Sequence, residues 1–425
     1  MPPSKGLGQV KQSGLQSGRV DPWQHFRTGD FKQRWDSSKL IVRQGRDAIA
    51  PLLALLGDPT ADSETHWFTI RALGHFPEPE VIAALAAQIG EAPAYVHRTP
   101  EQSAELSAFS IETLAAMGGA AIDVLSQLLQ VPQQRLLAAK ALNQVRSSGV
   151  IPAMISIATD GDERVRYYAI DALGSFHSDA VTPVLLAALG DPASAVRKAA
   201  VMALGRRRDL PASHQLSQRL QPLLWDIDLA VSAQTALALG RLGADDTITA
   251  LEQVLLSEHT PMVLRMDTVR ALAWWCDRPG SLSVNRVDRA FTLLAQALRQ
   301  FGYHPDSTDT GRPGPMDPAV LVAIVRVLGN IRCEAMAPKA SQILIEQLQR
   351  SSPLVVTQAV IMALANLGQP QAFDVLLPLL SYPADAVPIH VIAALKRLDP
   401  EHSLTRVTAY LGGVSPCQSD ILKLW

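Results

Sequence analysis

The sequence predicts an all-α fold, a right-handed solenoid of stacked helix pairs. Three observations predict it. Near-copies recur along the chain: VRYYAIDALGSF (165–176) and VRKAAVMALGRR (196–207) share a pattern, and Leu142, Leu173 and Leu204 fall 31 residues apart. Nearly half the residues (48%) are apolar, yet only 5% are aromatic. With Ala and Leu dominant, that composition favours closely packed helices over sheets. No stretch alternates apolar and polar residues at period two.

The leucine register continues through Leu73, Leu114, Leu239, Leu272, Leu328, Leu364 and Leu395. Its steps run from 28 to 41 residues, except for 56 between Leu272 and Leu328, where an insertion is expected. Each unit reads as two helices. In the central one, Val181 to Leu189 forms an apolar helix that Gly190-Asp191-Pro192 ends. The next helix presents Val196, Ala200, Ala203 and Leu204 as one stripe. Neither helix buries its apolar face alone, so neighbouring pairs must stack.

At 425 residues, the chain is expected to form one elongated array over 21–411. Residues 1–20, rich in Gly, Ser and Gln and free of acids, read as a disordered tail, although transit peptides share that make-up. Residues 412–425 read as a C-terminal tail. Longer connections are expected at 90–103, with Pro93 and Pro100, and at 301–316, where Gly, Pro, Ser and Asp crowd together. The second of these is either a plain loop or a binding element.

A net charge of −2 gives no basic field for nucleic acid. No apolar run is long enough to cross a bilayer. Cys276, Cys333 and Cys417 lie far apart, which suggests neither a disulfide framework nor a zinc site and fits a reducing, cytoplasmic compartment.

The stretches Asp160-Gly-Asp-Glu-Arg-Val-Arg-Tyr-Tyr-Ala-Ile-Asp-Ala-Leu-Gly and Asp191-Pro-Ala-Ser-Ala-Val-Arg-Lys-Ala-Ala-Val-Met-Ala-Leu-Gly resemble the HEAT repeat. More narrowly, they are similar to the short HEAT-like repeat of the cyanobacterial phycobilin lyase family. The opening Phe31-Lys-Gln-Arg-Trp, with His66-Trp67-Phe68 and Leu73-Gly74, resembles cyanobacterial HEAT-like proteins. The resemblance implies an armadillo-type superhelix of eight to ten units over 31–411. It also implies relatives that include chromophore lyases and adaptors, with phycobilin as a conceivable ligand. The lyases of this group usually act as pairs of different chains.

Arg135, Arg166, Arg197 and Arg265 stand seven residues before their anchor leucines, and Asp160 and Asp191 stand six before Arg166 and Arg197. Asp160, Arg166, Asp191 and Arg197 therefore read as a structural ladder of ion contacts and helix caps between repeats. The face opposite the apolar stripe gives two rows. One holds Trp67, Tyr167, Lys198 and Met266; the other holds Arg71, Lys140, Asp171, Met202, Arg270 and Arg326. In HEAT-like folds the second helix of each pair lines the concave side. Trp67, Arg71, Lys140, Tyr167, Asp171, Lys198, Met202 and Arg270 are thus expected in a partner-binding groove, because aromatics beside arginines are typical interface anchors. An ordinary solvated face shows a similar mixture.

Trp225-Asp-Ile-Asp228 reads either as a tetrapyrrole clamp or as junction packing with two helix caps. Arg206-Arg207-Arg208 reads either as a clasp for propionates or as cations at a helix end. Of Trp274-Trp275, one ring is expected in the core and one outside it. No phosphate-cradling glycine loop, HExxH, paired CxxC or GxSxG motif occurs, and the ten histidines are scattered. No catalytic, cofactor or metal-binding residue is assigned. The expected function is a non-catalytic scaffold or chaperone that binds a protein partner in its concave groove, with the link to phycobilisomes implied by the resemblance. The partner implied is a phycobiliprotein or a second HEAT-like chain. The alternative is a bilin lyase or lyase subunit, since the thioether-forming cysteine would belong to the client and positioning alone could supply much of the catalysis.

Overall fold

The structure is a computed structural model that describes residues 21–89, 99–207, 209–210, 213–276, 284–301, 317–331, 333–350, 352–383 and 386–414. Among them are 23 α-helices and seven 3-10 helices, with no strand. The chain divides into two units, one ending at Phe176 and the other beginning at His177.

Unit 1 opens with Pro22–Thr28 and Phe31–Val42. Asp21 caps the first, and an Asp30–Gln33 capping box starts the second. Four helix pairs follow: Ile49–Leu56 with Ser63–Leu73, Pro79–Ala86 with Pro100–Ala116, Ile122–Leu128 with Pro132–Gln144, and Ile151–Ile157 with Glu163–Leu173. The four second helices carry the anchors Leu73, Leu114, Leu142 and Leu173, each fully buried.

Unit 2 holds six pairs: Val181–Ala187 with Ser194–Leu204, Ser213–Leu220 with Leu229–Leu242, Ile248–Leu256 with Met262–Cys276, Val284–Phe301 with Pro318–Gly329, Ala337–Leu348 with Leu354–Leu367, and Gln371–Leu376 with Ala386–Leu398. Ser403–Val414 ends the described chain. Leu204, Leu239, Leu272, Leu328, Leu364 and Leu395 are likewise fully buried on the second helices. Each buried leucine contributes about 1.5–3 kcal/mol, whereas an exposed ion pair contributes about 0–1. Within each unit the leucine seam therefore dominates.

In both units successive second helices pack side by side. At three places in unit 2 the approach is close enough to need glycine one residue after the anchor: Gly205, Gly240 and Gly329. A Cβ on Gly240 would sit 2.6 Å from Ala271, and one on Gly329 would sit 2.4 Å from the Ala363 Cβ. Trp275 is buried, and its indole N–H donates to the Gly240 carbonyl at 3.0 Å. Trp274 is half-buried under the Arg241 guanidinium.

Several boundaries differ from the sequence expectation. Thr99 and Gln102 form a capping box, so a helix starts at Pro100 and takes in the end of the expected 90–103 connection. Residues 90–98 lie outside the described residues. Phe301 is the buried last residue of an 18-residue helix rather than the start of a loop, so helix accounts for part of the 56-residue step. The remainder of the 301–316 segment, the 1–20 tail and residues 415–425 lie outside the described residues. The final helix runs to Val414, past the expected boundary at 411.

Candidate interaction face

Each second helix projects side chains away from the seam at three register positions: six and two residues before the anchor leucine, and two after it. Spacings of four keep them on one helical face. The two units use these positions differently.

In unit 1 the positions six before the anchor hold Trp67, Ala108, Leu136 and Tyr167; those two before hold Arg71, Glu112, Lys140 and Asp171. The Trp67 ring stacks on Phe109, with centroids 4.9 Å apart and planes 11° apart, and meets Phe68 edge-on. The Arg71 guanidinium lies 4.2 Å from the Trp35 ring centroid and 5.7 Å from that of Trp67. Such cation–π contact fixes the side chain without satisfying its N–H donors. Lys140 is exposed. Asp171 accepts a hydrogen bond from the Asn143 amide at 3.0 Å. Burial first, and Asp171 second, push the Tyr167 hydroxyl above its ordinary pKa. Its ring meets Tyr168 edge-on.

In unit 2 Lys198 and Met202 are half-buried, and Arg270 is exposed and paired with Asp267. A cleft of about 710 Å³ opens on the same face. Met266, Val322 and Gln358 line it from six before their anchors, and Arg326 and Met362 from two before. Asn330 and Asn366, two after their anchors, edge it and bond to each other at 3.3 Å. His390 closes one end. The two rows read from the sequence omit Val322, Gln358 and Met362, although the register that gives Met266 and Arg326 also gives them. Trp35 and Phe109 carried no such signal, because neither occupies one of the three counted positions.

The ladder residues act across repeats. Asp160 receives Arg135 Nη1 of the preceding repeat at 2.9 Å, while Arg166 Nη1 donates to the Asp160 backbone carbonyl at 2.8 Å. Arg197 repeats the arrangement. Its Nη1 donates to the Asp191 carbonyl at 2.8 Å, and Nε and Nη2 clasp Asp226 at 2.7 Å each. The Arg197 guanidinium holds the Asp226 carboxyl below its ordinary range. Unit 1 also contains a pair that the repeat spacing did not reveal. Buried Arg34 clasps both oxygens of Asp62 at 2.8 Å, and this holds the Asp62 carboxyl well below the usual carboxylate range. Asp191 side-chain Oδ1 accepts from Ala193 N–H at 2.8 Å, a local turn.

Two other motifs resolve differently. In Trp225–Asp228 both acids are structurally engaged: Asp226 with Arg197, and Asp228 capping Ala230 N–H. Trp225 is 56% exposed and so does not pack into the junction. Arg207 is buried against Asp209 at 2.9 Å, which removes it from any surface clasp; Arg208 lies outside the described residues. Among the described residues, no cluster of His, Cys, Asp or Glu is arranged to hold a metal ion. None of their helices is long and apolar enough to cross a membrane.

Residues 122–205, 151–226, 315–396 and 341–413 match the family model of HEAT repeats. The matches merge into two stretches, 122–226 and 315–413, and these carry HEAT repeats. The matched HEAT stretches include the Asp160 and Asp191 segments and most of the helices that line the cleft. Among solved structures, a chain of the Kap95p–RanGDP complex is 14% identical with a TM-score of 0.56, over 91% of this chain and 55% of that one. Importin beta is 14% identical with a TM-score of 0.45, over 92% and 63%. An engineered protein is 19% identical with a TM-score of 0.34, over 89% and 98%. At 14% identity the likeness to the Kap95p–RanGDP chain shows the fold alone, an all-α solenoid. No curated protein matches the sequence.

Proposed function

We propose that this HEAT protein is a non-catalytic scaffold or chaperone that holds a protein partner against the face of its second helices. HEAT solenoids bind protein partners, and one observation carries the reading here. Successive second helices of unit 2 converge on a cleft of about 710 Å³ with an apolar floor of Met266, Val322 and Met362 and a polar rim of Arg326, Asn330 and Asn366. Apolar floors with a few directed polar groups are what recognition sites require. In unit 1 the stacked Trp67 and Phe109 with the Arg71 guanidinium supply rigid anchors of the kind that dominate interface energies. The three dispersed cysteines fit a cytoplasmic setting.

The narrower reading, a partner from the photosynthetic apparatus such as a phycobiliprotein or a second HEAT-like chain, rests on the likeness of the Asp160 and Asp191 segments to phycobilin-lyase repeats. The bilin-lyase alternative rests on the same likeness. Co-expression with phycocyanobilin and apo-phycobiliprotein subunits separates them. Covalent, zinc-fluorescent product above a control without this chain favours the lyase. Its absence across several clients, together with specific capture of one partner, favours the scaffold. For that captured partner, Trp67→Ala, Arg71→Ala and Tyr167→Ala are expected to weaken binding without lowering helix content. Unchanged binding in all three would remove the unit 1 face from the interface.

A further inference from the structure

We infer that the second-helix face of unit 2 takes an acidic amphipathic helix, laid across successive repeats; the inference rests on the scaffold reading. The six second helices of unit 2 contain one acidic residue, Asp267, against eight lysines and arginines. At the three outward positions on each helix the contrast is sharper. Lys198, Arg206, Arg241, Arg270, Arg326 and Arg397 stand there, and no acid does. Most of the remaining positions are apolar, including Met202, Leu237, Trp274 and Ile389, the last 53% exposed. In a chain of net charge −2, this one-sided face is a local property.

Charge sign and spacing together select the partner. Arg326, exposed at the cleft mouth, has no acidic partner among the described residues, whereas Arg270 is offset by Asp267. Bases of one sign interleaved with apolar groups attract carboxylates next to apolar side chains, and the charges set orientation and on-rate. Packed helices lie about 8–10 Å apart, so the cations of the first four second helices recur at about that interval, and the row then skips Leu354–Leu367, which has none, before Arg397. On a ligand helix, carboxylates seven residues apart are about 10 Å apart and face the same way. Acids at i, i+7 and i+14 can therefore meet successive repeats while apolar residues at i+3 and i+4 enter the cleft. Nucleic acid fits less well, because strong binding to it needs many phosphate contacts, and here apolar side chains separate the cations.

The test uses the full chain and a displayed library of helical 21-residue peptides. Peptides with excess Glu and Asp at seven-residue spacing should be enriched. Their binding should weaken with added salt and fall at least tenfold on a Lys198→Glu/Arg326→Glu/Arg397→Glu variant whose circular dichroism is unchanged. Enrichment of neutral or basic peptides, no enrichment, acidic binding indifferent to the variant, or tighter binding of an oligo-dT strand would each overturn the inference. A captured native partner separates this from the scaffold reading. If it engages the face through a non-acidic segment, the scaffold stands and this inference fails. If no substitution on the second-helix face of either unit alters its binding, the scaffold reading itself fails.

Discussion

Units 1 and 2 share one construction and differ in what they show to a partner. In both, fully buried leucines mark the second helices and adjacent second helices pack in series. The second helices of unit 1 carry six acids against five lysines and arginines, and those of unit 2 carry one against eight. Unit 1 adds a stacked aromatic group at Trp67 and Phe109, where unit 2 has an apolar cleft. The lesson is physical. The seam is fixed by volume and tolerates little, whereas the outward positions, mostly half-buried or exposed, carry less folding energy and are freer to diverge.

That division can be broken or sharpened by substitution. The largest effect is expected at Trp275, fully enclosed and bonded to Gly240. Trp275→Ala should cost about 3–5 kcal/mol in urea denaturation, while Trp274→Ala beside it costs far less. Next comes the close helix approach: Gly329→Ala should cost about 1–3 kcal/mol, because its new methyl overlaps Ala363. If Gly329→Ala is neutral, the second helices are less tightly packed than described.

A smaller loss, about 2 kcal/mol, is expected for Asp62→Asn in unit 1, which replaces the clasped carboxylate of buried Arg34 with a neutral amide and leaves Glu64, at 3.6 Å, as its charged neighbour. Because the folded carboxyl has a lowered pKa, its contribution is whole above the ordinary value near pH 4 and drains away as pH falls toward the folded value. Acid denaturation of Asp62→Asn should therefore be flatter below about pH 4 than that of the unsubstituted chain. Least of all, Arg326→Glu should change stability by no more than about 0.5 kcal/mol, its side chain being exposed with no ion pair among the described residues. Substantial unfolding by Arg326→Glu would mean that the outward face is structural after all.

The repeat was legible because a seam leaves a periodic trace: all ten leucines of the sequence register are fully buried. The ladder was legible only in part. Sequence spacing placed Asp160 near Arg166, yet the carboxylate reaches back to Arg135 and Arg166 takes the backbone carbonyl instead. Which of two nearby arginines captures a carboxylate depends on side-chain reach across a packed interface, and spacing does not encode that. Arg34–Asp62 went unseen because Phe31–Val42 has no anchor leucine to set its register. Arg265 shows the converse. It occupies a ladder position, but its guanidinium faces the Phe301 ring, and burial lowers its pKa. The cleft combined the two cases: its residues obey the register, but its depth arises only when neighbouring helices are stacked.

One comparison of affinities tests most directly whether the second-helix face is the binding surface. For a captured partner, the dissociation constant would be measured for Arg326→Glu/Arg397→Glu on that face and for Lys339→Glu/Gln342→Glu on a first helix of the same unit. A loss of tenfold or more, about 1.4 kcal/mol, is expected for the first pair and less than twofold for the second. Loss confined to the first-helix variant would contradict the assignment of this face.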